Sequence, residues 1–208
     1  MIPVLTAPDW APVLAALPEP GWVVLPEAIP ADLVAALRDE LRVQDAAGAF
    51  HAAGIGRGNA QQVETRIRGD RIAWLDAEWP AAKRYLALME GLRESLNREL
   101  FLGLAEYEAH YARYAPGSFY RRHVDRHMDS TQAGSAQRVI STVCYLNEPS
   151  WPQDAGGELM LYPPDAAPQH VMPEAGTLVV FRSDNLPHEV LAANCERLSI
   201  AGWMRTRA

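Results

Sequence analysis

The 208-residue sequence has few of the features that mark secreted, membrane-spanning or nucleic-acid-binding proteins. Its two cysteines, Cys144 and Cys195, form no CxxC pair, so we expect free thiols and no disulfide. No apolar run approaches the ~20 residues of a membrane span, and residues 1–5 lack the basic start of a secretory signal. The net charge of −7 argues against nucleic acid, because phosphate binding requires clustered Lys and Arg. These absences predict a cytoplasmic protein without a membrane or nucleic-acid partner.

The composition that remains is that of an ordinary globular chain, with 49% apolar and 22% charged residues. The length fits one domain over residues 1–208. Residues 1–103 are predicted to be mostly helical support, and residues 104–208 a β-rich core. Between two predicted helices, residues 54–62 hold three glycines and no apolar periodicity, which indicates a mobile loop. Such a loop is either a surface connection or a lid that grips a substrate.

Apolar spacing defines the elements of the first half. Asp9 is a candidate N-cap for a short helix that ends before Pro18. Residues 21–25 and 71–75 are predicted strands. Leucine and valine recur at helical spacing over residues 31–44, and a second helix is predicted from Pro80 to about Leu100. We expect both helices to cover one face of a sheet.

From residue 106 onward, short apolar segments alternate with turn signals such as Pro116-Gly117 and Gly156-Gly157. The segments predict an α+β fold whose core is a sandwich or a double-sheet jelly roll, with the helices packed on one sheet. The predicted strands are residues 106–114, 119–125, 139–147, 158–162, 170–172, 177–181, 188–191 and 197–205.

The candidate chemistry lies in His123, Asp125 and His188, with Arg197 nine residues further on. Residues i and i+2 of a strand point to the same face, so His123 and Asp125 can bind one metal ion, and His188 can supply a third ligand. Two imidazoles and one carboxylate form the facial set of non-haem iron(II) oxygenases. Taken one at a time, the same residues fit a surface ion pair and a core histidine.

Arg197 is the candidate anchor for a 2-oxo acid, because its planar guanidinium binds a carboxylate through two hydrogen bonds. We expect the last two predicted strands to pair around the turn near Ala193-Asn194, which places Arg197 beside His188. In that strand Ser199, Ala201 and Trp203 share the parity of Arg197 and are expected to face inward as well.

The other histidines carry no comparable pattern. His123 and His127 have the spacing of a helical HExxH zinc motif, but the glutamate is absent and the flanking Pro116 and Gly117 favour a strand. We therefore expect His127 in a loop near the mouth of the site. His51, His110 and His170 are expected to be structural or exposed.

Several segments taken together resemble the prolyl hydroxylase branch of the 2-oxoglutarate oxygenases. They are similar to the HIF prolyl hydroxylases and, more closely, to the Pseudomonas-type bacterial enzyme that modifies elongation factor Tu. The resemblance extends from about residue 20 to residue 207 and implies a distorted double-stranded β-helix. The matching segments are residues 67–75, 114–117, 120–125, 145–147, 156–159 and 187–197.

The resemblance also implies residue roles and cofactors. Fe(II) would be bound by the His–Asp–His set, and 2-oxoglutarate by Arg197 with Tyr145, Tyr114 and Trp203 in the cosubstrate pocket. Each of these three aromatic residues could instead be a packed core side chain. Arg138, Arg57 and Gly58 are implied substrate contacts, with residues 54–62 closing over an extended peptide. Dioxygen would be the oxidant and ascorbate the reductant.

The implied reaction is hydroxylation of a prolyl residue in an exposed loop of a cytoplasmic protein such as elongation factor Tu. A small-molecule substrate, such as a free amino acid or another metabolite, is the alternative with the same chemistry. A scaffold that binds without catalysis is the alternative from another class, and the retention of all four key residues disfavours it.

Overall fold

The computed structural model describes residues 8–54, 67–126 and 136–207. Within these ranges the chain forms three helices and eleven strands. The helices are α1 (Ala11–Ala16), α2 (Ala31–Ala46) and α3 (Pro80–Leu100). The strands are β1 (Trp22–Leu25), β2 (His51–Ala52), β3 (Asp70–Trp74), β4 (Leu104–Tyr114), β5 (Tyr120–His123), β6 (Arg138–Tyr145), β7 (Leu159–Leu161), β8 (Gln169–Val171), β9 (Leu178–Arg182), β10 (His188–Val190) and β11 (Arg197–Thr206).

The strands form two antiparallel sheets. The larger sheet has the order β1-β9-β6-β11-β4-β3-β2, and the smaller has the order β5-β10-β7-β8. Apolar side chains of both sheets, including Tyr145, Phe181, Leu161 and Val190, form one buried cluster. Two stacked antiparallel sheets with helices outside them confirm the predicted α+β jelly-roll fold. Three strands from the first 103 residues, β1, β2 and β3, also belong to the larger sheet.

The helices cover the outer face of the larger sheet. Leu33, Leu37 and Leu41 of α2 recur every four residues, and together with the apolar face of α3 they pack against alternate residues of β11 such as Ile200 and Met204. The intervening residues of β11 face the smaller sheet instead. Alternate residues of β11 therefore face opposite sides of the larger sheet. One set packs against the helices, and the other faces the space between the two sheets, where the site lies.

A partly buried carboxylate connects the two long helices to the sheet. Glu40 of α2 accepts hydrogen bonds from the backbone N–H groups of Ala81 and Ala82, at 2.7 and 2.9 Å, in the first turn of α3. Tyr111 of β4 donates its hydroxyl to the same carboxylate at 2.8 Å. The N-cap residue of α3, Trp79, makes no side-chain cap bond, so Glu40 caps α3 from a neighbouring helix.

Most predicted elements are present within a few residues of their expected bounds, but two expectations were wrong. Asp125 lies beyond the end of β5, so its carboxylate reaches the site from an irregular segment and not by strand alternation. The last two strands do not pair: β10 lies in the smaller sheet between β5 and β7, whereas β11 lies in the larger sheet between β4 and β6. Arg197 is therefore in the sheet opposite His188.

No helix among the described residues is long and apolar enough to cross a membrane. The two cysteines are both free, as expected, with Cys144 buried and Cys195 partly exposed.

Candidate active site

Three potential metal ligands converge at one end of the smaller sheet. His123 ends β5, Asp125 follows it, and His188 begins β10, where it is the direct register partner of His123. One donor atom from each residue lies within 4.8 Å of the others. The Nε2 atoms of His123 and His188 lie 3.5 and 3.6 Å from the two carboxylate oxygens of Asp125. Antiparallel pairing of two short strands thus brings together ligands that are far apart in sequence.

Backbone carbonyls fix the orientation of both imidazole rings. Nδ1 of His123 lies 2.8 Å from the carbonyl oxygen of Arg121, and Nδ1 of His188 lies 3.0 Å from that of Leu186. Because a carbonyl only accepts, each Nδ1 carries the proton and each Nε2 presents its lone pair toward Asp125. This is the tautomer that a metal-ligating histidine needs.

Two serines orient the carboxylate. The Ser141 hydroxyl of β6 lies 2.7 Å from Oδ2 of Asp125 and 2.8 Å from the hydroxyl of Ser183, just after β9. All three side chains are buried. Burial alone would raise the pKa of Asp125, but the positive charge that His188 and His123 carry when protonated, together with the Ser141 hydrogen bond, outweighs it and holds this pKa well below its ordinary value. Asp125 is therefore an ionised ligand at neutral pH.

Burial lowers the pKa of His188, although the Asp125 carboxylate opposes the shift. The ring packs edge-on against Phe181, with centroids 4.8 Å apart. His188 is therefore neutral and confined, as metal coordination requires.

A second group of polar side chains, centred on Arg197, lies at the same cavity on the facing sheet. Arg197 is 1% exposed, and its Nε donates to the Gly157 carbonyl at 2.8 Å while one terminal nitrogen donates to the Ser199 hydroxyl at 3.2 Å. Its other terminal nitrogen and the Tyr145 hydroxyl are buried, and neither has a hydrogen-bond partner among the described residues. Buried polar groups are almost always paired, so these two donors indicate a ligand with acceptor oxygens.

The aromatic residues around Arg197 are those expected from the sequence. The guanidinium carbon lies 5.1 Å from the ring centroids of both Tyr114 and Tyr145. Burial raises the pKa of Tyr145 to about 12, with the positive charge of Arg197 opposing the shift. Both phenols therefore keep their protons at neutral pH and can act as hydrogen-bond donors.

Trp203 lines another part of the cavity, and Arg138, which is not among the lining residues, packs on its ring. The Arg138 guanidinium lies over the Trp203 ring, 3.6 Å from its centroid, and two of its nitrogens donate to Glu108 at 3.0 and 3.1 Å. The Trp203 ring also contacts His110, at a centroid distance of 5.4 Å. Arg138 is thus held against the wall by an ion pair that the sequence did not reveal.

The cavity brings together most of the predicted site residues. Its lining includes the three candidate ligands, Arg197, Tyr114 and Trp203, and the inward-facing Ser199 and Ala201. Arg57, Gly58 and His127, as well as residues 55–62 of the predicted lid, lie outside the described residues. Of the other histidines, His110 is buried, while His51 and His170 are exposed.

Sequence reasoning missed several residues near the site, among them five with polar side chains that contact a candidate ligand or one another. Ser141 could have been found, because it shares the parity of Tyr145 in the predicted strand over residues 139–147. Ser183 carries no such signal. The remaining three, Arg68, Asp70 and Tyr120, are brought to the site by long-range pairing of segments 67–69 and 119–121.

The donor set fits iron and a 2-oxo acid. Two imidazoles and an ionised carboxylate on one side leave the opposite side of a metal ion open. The unpartnered nitrogen of Arg197, which lines this pocket, and the hydroxyl of the neighbouring Tyr145 are both able to donate hydrogen bonds to a carboxylate. The cavity therefore holds complementary sites for a divalent metal and for a small dianion.

The chain matches the model of the 2OG-Fe(II) oxygenase superfamily over residues 109–205. It is 45% identical to a prolyl-4-hydroxylase from Pseudomonas putida of known crystal structure, with a TM-score of 0.86. That match covers 95% of this chain and 100% of the bacterial one. This chain belongs to the 2OG-Fe(II) oxygenase superfamily.

Two further relatives are less similar to this chain in sequence. A prolyl hydroxylase from Trichoplax adhaerens, solved with a peptide fragment of the hypoxia inducible factor oxygen degradation domain, is 28% identical with a TM-score of 0.78. It matches over 92% of this chain and 86% of its own. Egl nine homolog 1 of Homo sapiens is 30% identical over 146 residues, which is 66% of this chain and 33% of the human protein. The chain spans about two fifths or less of the length of such curated relatives.

Proposed function

We propose that this chain is an Fe(II)- and 2-oxoglutarate-dependent dioxygenase in which residues 1–208 act as one domain. The observation that carries the proposal is the pairing, within one buried cavity, of a His–Asp–His cluster with an incompletely bonded arginine. His123, Asp125 and His188 would hold the iron. Arg197 and Tyr145 would bind the far carboxylate of 2-oxoglutarate, with Tyr114 and Trp203 lining its pocket.

Bound iron and 2-oxoglutarate would supply the activation of O2 and the oxidation of a substrate C–H bond, coupled to decarboxylation of the cosubstrate. The residues of this chain would bind the metal ion and the cosubstrate, orient them and shield them from water. Carbonyl-bound Nδ1–H groups keep both imidazoles in the ligating tautomer, and Ser141 holds one oxygen of Asp125. The buried Arg197 fixes the cosubstrate at its far end, and the low-polarity walls exclude water from the reacting groups. Ascorbate is proposed as the reductant that maintains Fe(II).

For the substrate we propose a prolyl residue in an exposed loop of a protein, hydroxylated at C4, with elongation factor Tu as the candidate target. The 45% identity with the Pseudomonas putida prolyl-4-hydroxylase over that enzyme's whole length supports the reaction. The peptide complex of the Trichoplax adhaerens enzyme supports a polypeptide substrate. Arg138 and the segment that includes Arg57 and Gly58 are proposed substrate contacts, and the cytoplasm is the proposed location.

The test is incubation of the purified chain with Fe(II), 2-oxoglutarate, ascorbate and either elongation factor Tu or a pool of metabolites. We expect release of succinate and a gain of one oxygen on a single proline, measured by mass spectrometry. His123→Ala should abolish both, whereas His170→Ala, which changes an exposed histidine on β8, should retain both. Turnover that proceeds with metabolites and leaves every protein proline unmodified contradicts the substrate, and turnover by His123→Ala contradicts the site.

A further inference from the structure

The ring of Tyr120 lies between a candidate metal ligand and a buried cation. It is stacked on the His123 imidazole, with centroids 3.7 Å apart and planes 15° from parallel. The guanidinium carbon of Arg68 lies 4.6 Å from the Tyr120 centroid. Because the imidazole covers one face of the phenol ring at close contact, the guanidinium occupies the other face. The three groups form a continuous stack from Arg68 to His123.

The outer end of the stack is rigid. Nε and one terminal nitrogen of Arg68 bind the two carboxylate oxygens of Asp70 at 2.6 and 2.7 Å, in a bidentate pair. The Arg68 side chain is 11% exposed and the Asp70 side chain is not exposed at all. A buried, bidentate ion pair has little freedom to move, so Arg68 presents a fixed surface to Tyr120.

The backbone on both sides of Tyr120 is also held. Arg68 and Tyr120 form an antiparallel bridge. The Gly69 N–H donates to the Phe119 carbonyl at 3.0 Å, and the Arg121 N–H donates to the Ile67 carbonyl at 2.8 Å. The segment before β3 therefore pairs with β5 at the residue that stacks on the ligand.

The His123 side chain is less confined by its surroundings than the His188 side chain. His188 lies on a strand paired on both sides and packs against Phe181, and its side chain is 6% exposed, whereas that of His123 is 19% exposed. The hydrogen bond at Nδ1 and a tilted contact with the His188 ring, with centroids 4.3 Å apart, leave the His123 ring able to pivot about Nδ1. A ring stacked on its face prevents the pivot and keeps Nε2 directed at Asp125.

We propose that Tyr120 is a positioning residue for the metal site, which holds His123 in its ligating orientation and couples that orientation to the Arg68–Asp70 ion pair. The proposal rests on the proposed function, because it assigns His123 to a metal ion. The phenol ring acts through its faces, so the hydroxyl is not needed. Loss of the ring should weaken metal binding and loosen the geometry of the bound ion.

The experiment measures Co(II) binding to the purified chain by calorimetry and by visible absorption, which reports ligand geometry, without any turnover. Tyr120→Phe keeps the stack and should bind Co(II) within about twofold of the unchanged chain, with the same spectrum. Tyr120→Leu removes it and should raise the Kd about tenfold, at the lower end of the range for outer-shell partners of metal ligands, with altered bands. Tyr162→Leu is the matched control, because Tyr162 pairs with Arg122 at 3.9 Å but contacts no candidate ligand.

Tyr120→Met keeps side-chain bulk and replaces the leucine variant if circular dichroism shows that the latter is unfolded. A folded leucine or methionine variant with unchanged Kd and spectrum overturns the proposal. Equal losses in Tyr120→Phe and Tyr120→Leu overturn it as well, because the hydroxyl would then be responsible. If the unchanged chain binds Co(II) but does not consume 2-oxoglutarate when loaded with iron, the proposed function fails while this test still gives its answer.

Discussion

Replacing Arg197 by methionine tests the cosubstrate pocket directly. The guanidinium is 1% exposed, and its second terminal nitrogen has no partner among the described residues. The substitution keeps most of the side-chain volume and removes the charge. The proposed pocket then offers a 2-oxoglutarate carboxylate only the neutral hydroxyl of Tyr145.

The expected loss follows from the burial of the pair. Removal of one partner from a buried, hydrogen-bonded charge pair costs about 2–5 kcal/mol of binding free energy. That loss corresponds to an increase in Kd of about 30-fold to several thousand-fold. The Kd of Arg197→Lys for 2-oxoglutarate should lie between those of the unchanged chain and of Arg197→Met. The lysine keeps the charge but loses the planar guanidinium and its hydrogen bond to Gly157. The free energy of unfolding of the ligand-free chain should change far less, since no described residue forms an ion pair with Arg197 that the substitution would break.

The assay is calorimetric titration of 2-oxoglutarate into the Mn(II)-loaded chain without oxygen, with thermal unfolding of the ligand-free chain alongside. Arg182→Met is the control, because it removes a partly exposed arginine of β9 that is paired with Asp184. A methionine variant at 197 that is folded and binds 2-oxoglutarate as tightly as the unchanged chain would refute the assignment. So would an equal loss in the control.

Three further predictions concern the surroundings of the site. Ser141→Ala removes the 2.7 Å hydrogen bond to Asp125 and should weaken Mn(II) binding about tenfold in calorimetry; an unchanged affinity would exclude an orienting role. Burial lowers the pKa of His110 to about 4, so the unfolded chain takes up a proton there first as the pH falls below 6.5. The free energy of unfolding should therefore drop by about 3 kcal/mol between pH 6.5 and 4 from this group, and urea unfolding of His110→Gln should lack that part. Gly157→Ala places a Cβ 3.0 Å from Cβ of Ala193, 3.2 Å from the Trp151 ring and 3.4 Å from Cδ of Arg197 at a φ of +79°, and should weaken both thermal stability and 2-oxoglutarate binding; a variant with normal values of both would show that the segment before β7 adapts.

Local patterns in the sequence predicted the fold well where one period dominates. The leucine spacing of α2 and the run from Pro80 to Leu100 reproduce helices that pack through a single apolar face. The β-strands were placed by turn residues and alternation, and the inward row of Arg197, Ser199, Ala201 and Trp203 lines the cavity as parity required.

The sheet to which a strand belongs was not predictable in the same way. The turn between β10 and β11 was expected to form a hairpin, but the chain crosses from one sheet to the other there. Alternation specifies which side chains are buried, and both sheets bury side chains in the same interlayer space. Membership of a sheet depends on contacts between distant segments, which local periodicity does not encode.

The residues that support the site were not predicted from the sequence for the same reason. Ser183, Asp70 and Tyr120 are ordinary residues by local pattern, and each acquires its contact from a partner on another element. By contrast, the candidate ligands and Arg197 were recognised because their residue types are rare in combination. Glu108, which holds Arg138 over Trp203, is another residue that local pattern did not identify.

The division of the site between two sheets gives a bound metal a second effect. His123 and His188 belong to the smaller sheet, whose strands are three or four residues long, whereas Ser141, which holds Asp125, belongs to the larger one. A metal ion at this point acts as a cross-link that closes a long stretch of chain, and it stabilises only the native arrangement. Iron bound by these residues would therefore stabilise the smaller sheet as well as take part in the proposed reaction. Without iron, we expect the backbone amides of β5 and β10 to undergo hydrogen exchange faster than those of the larger sheet.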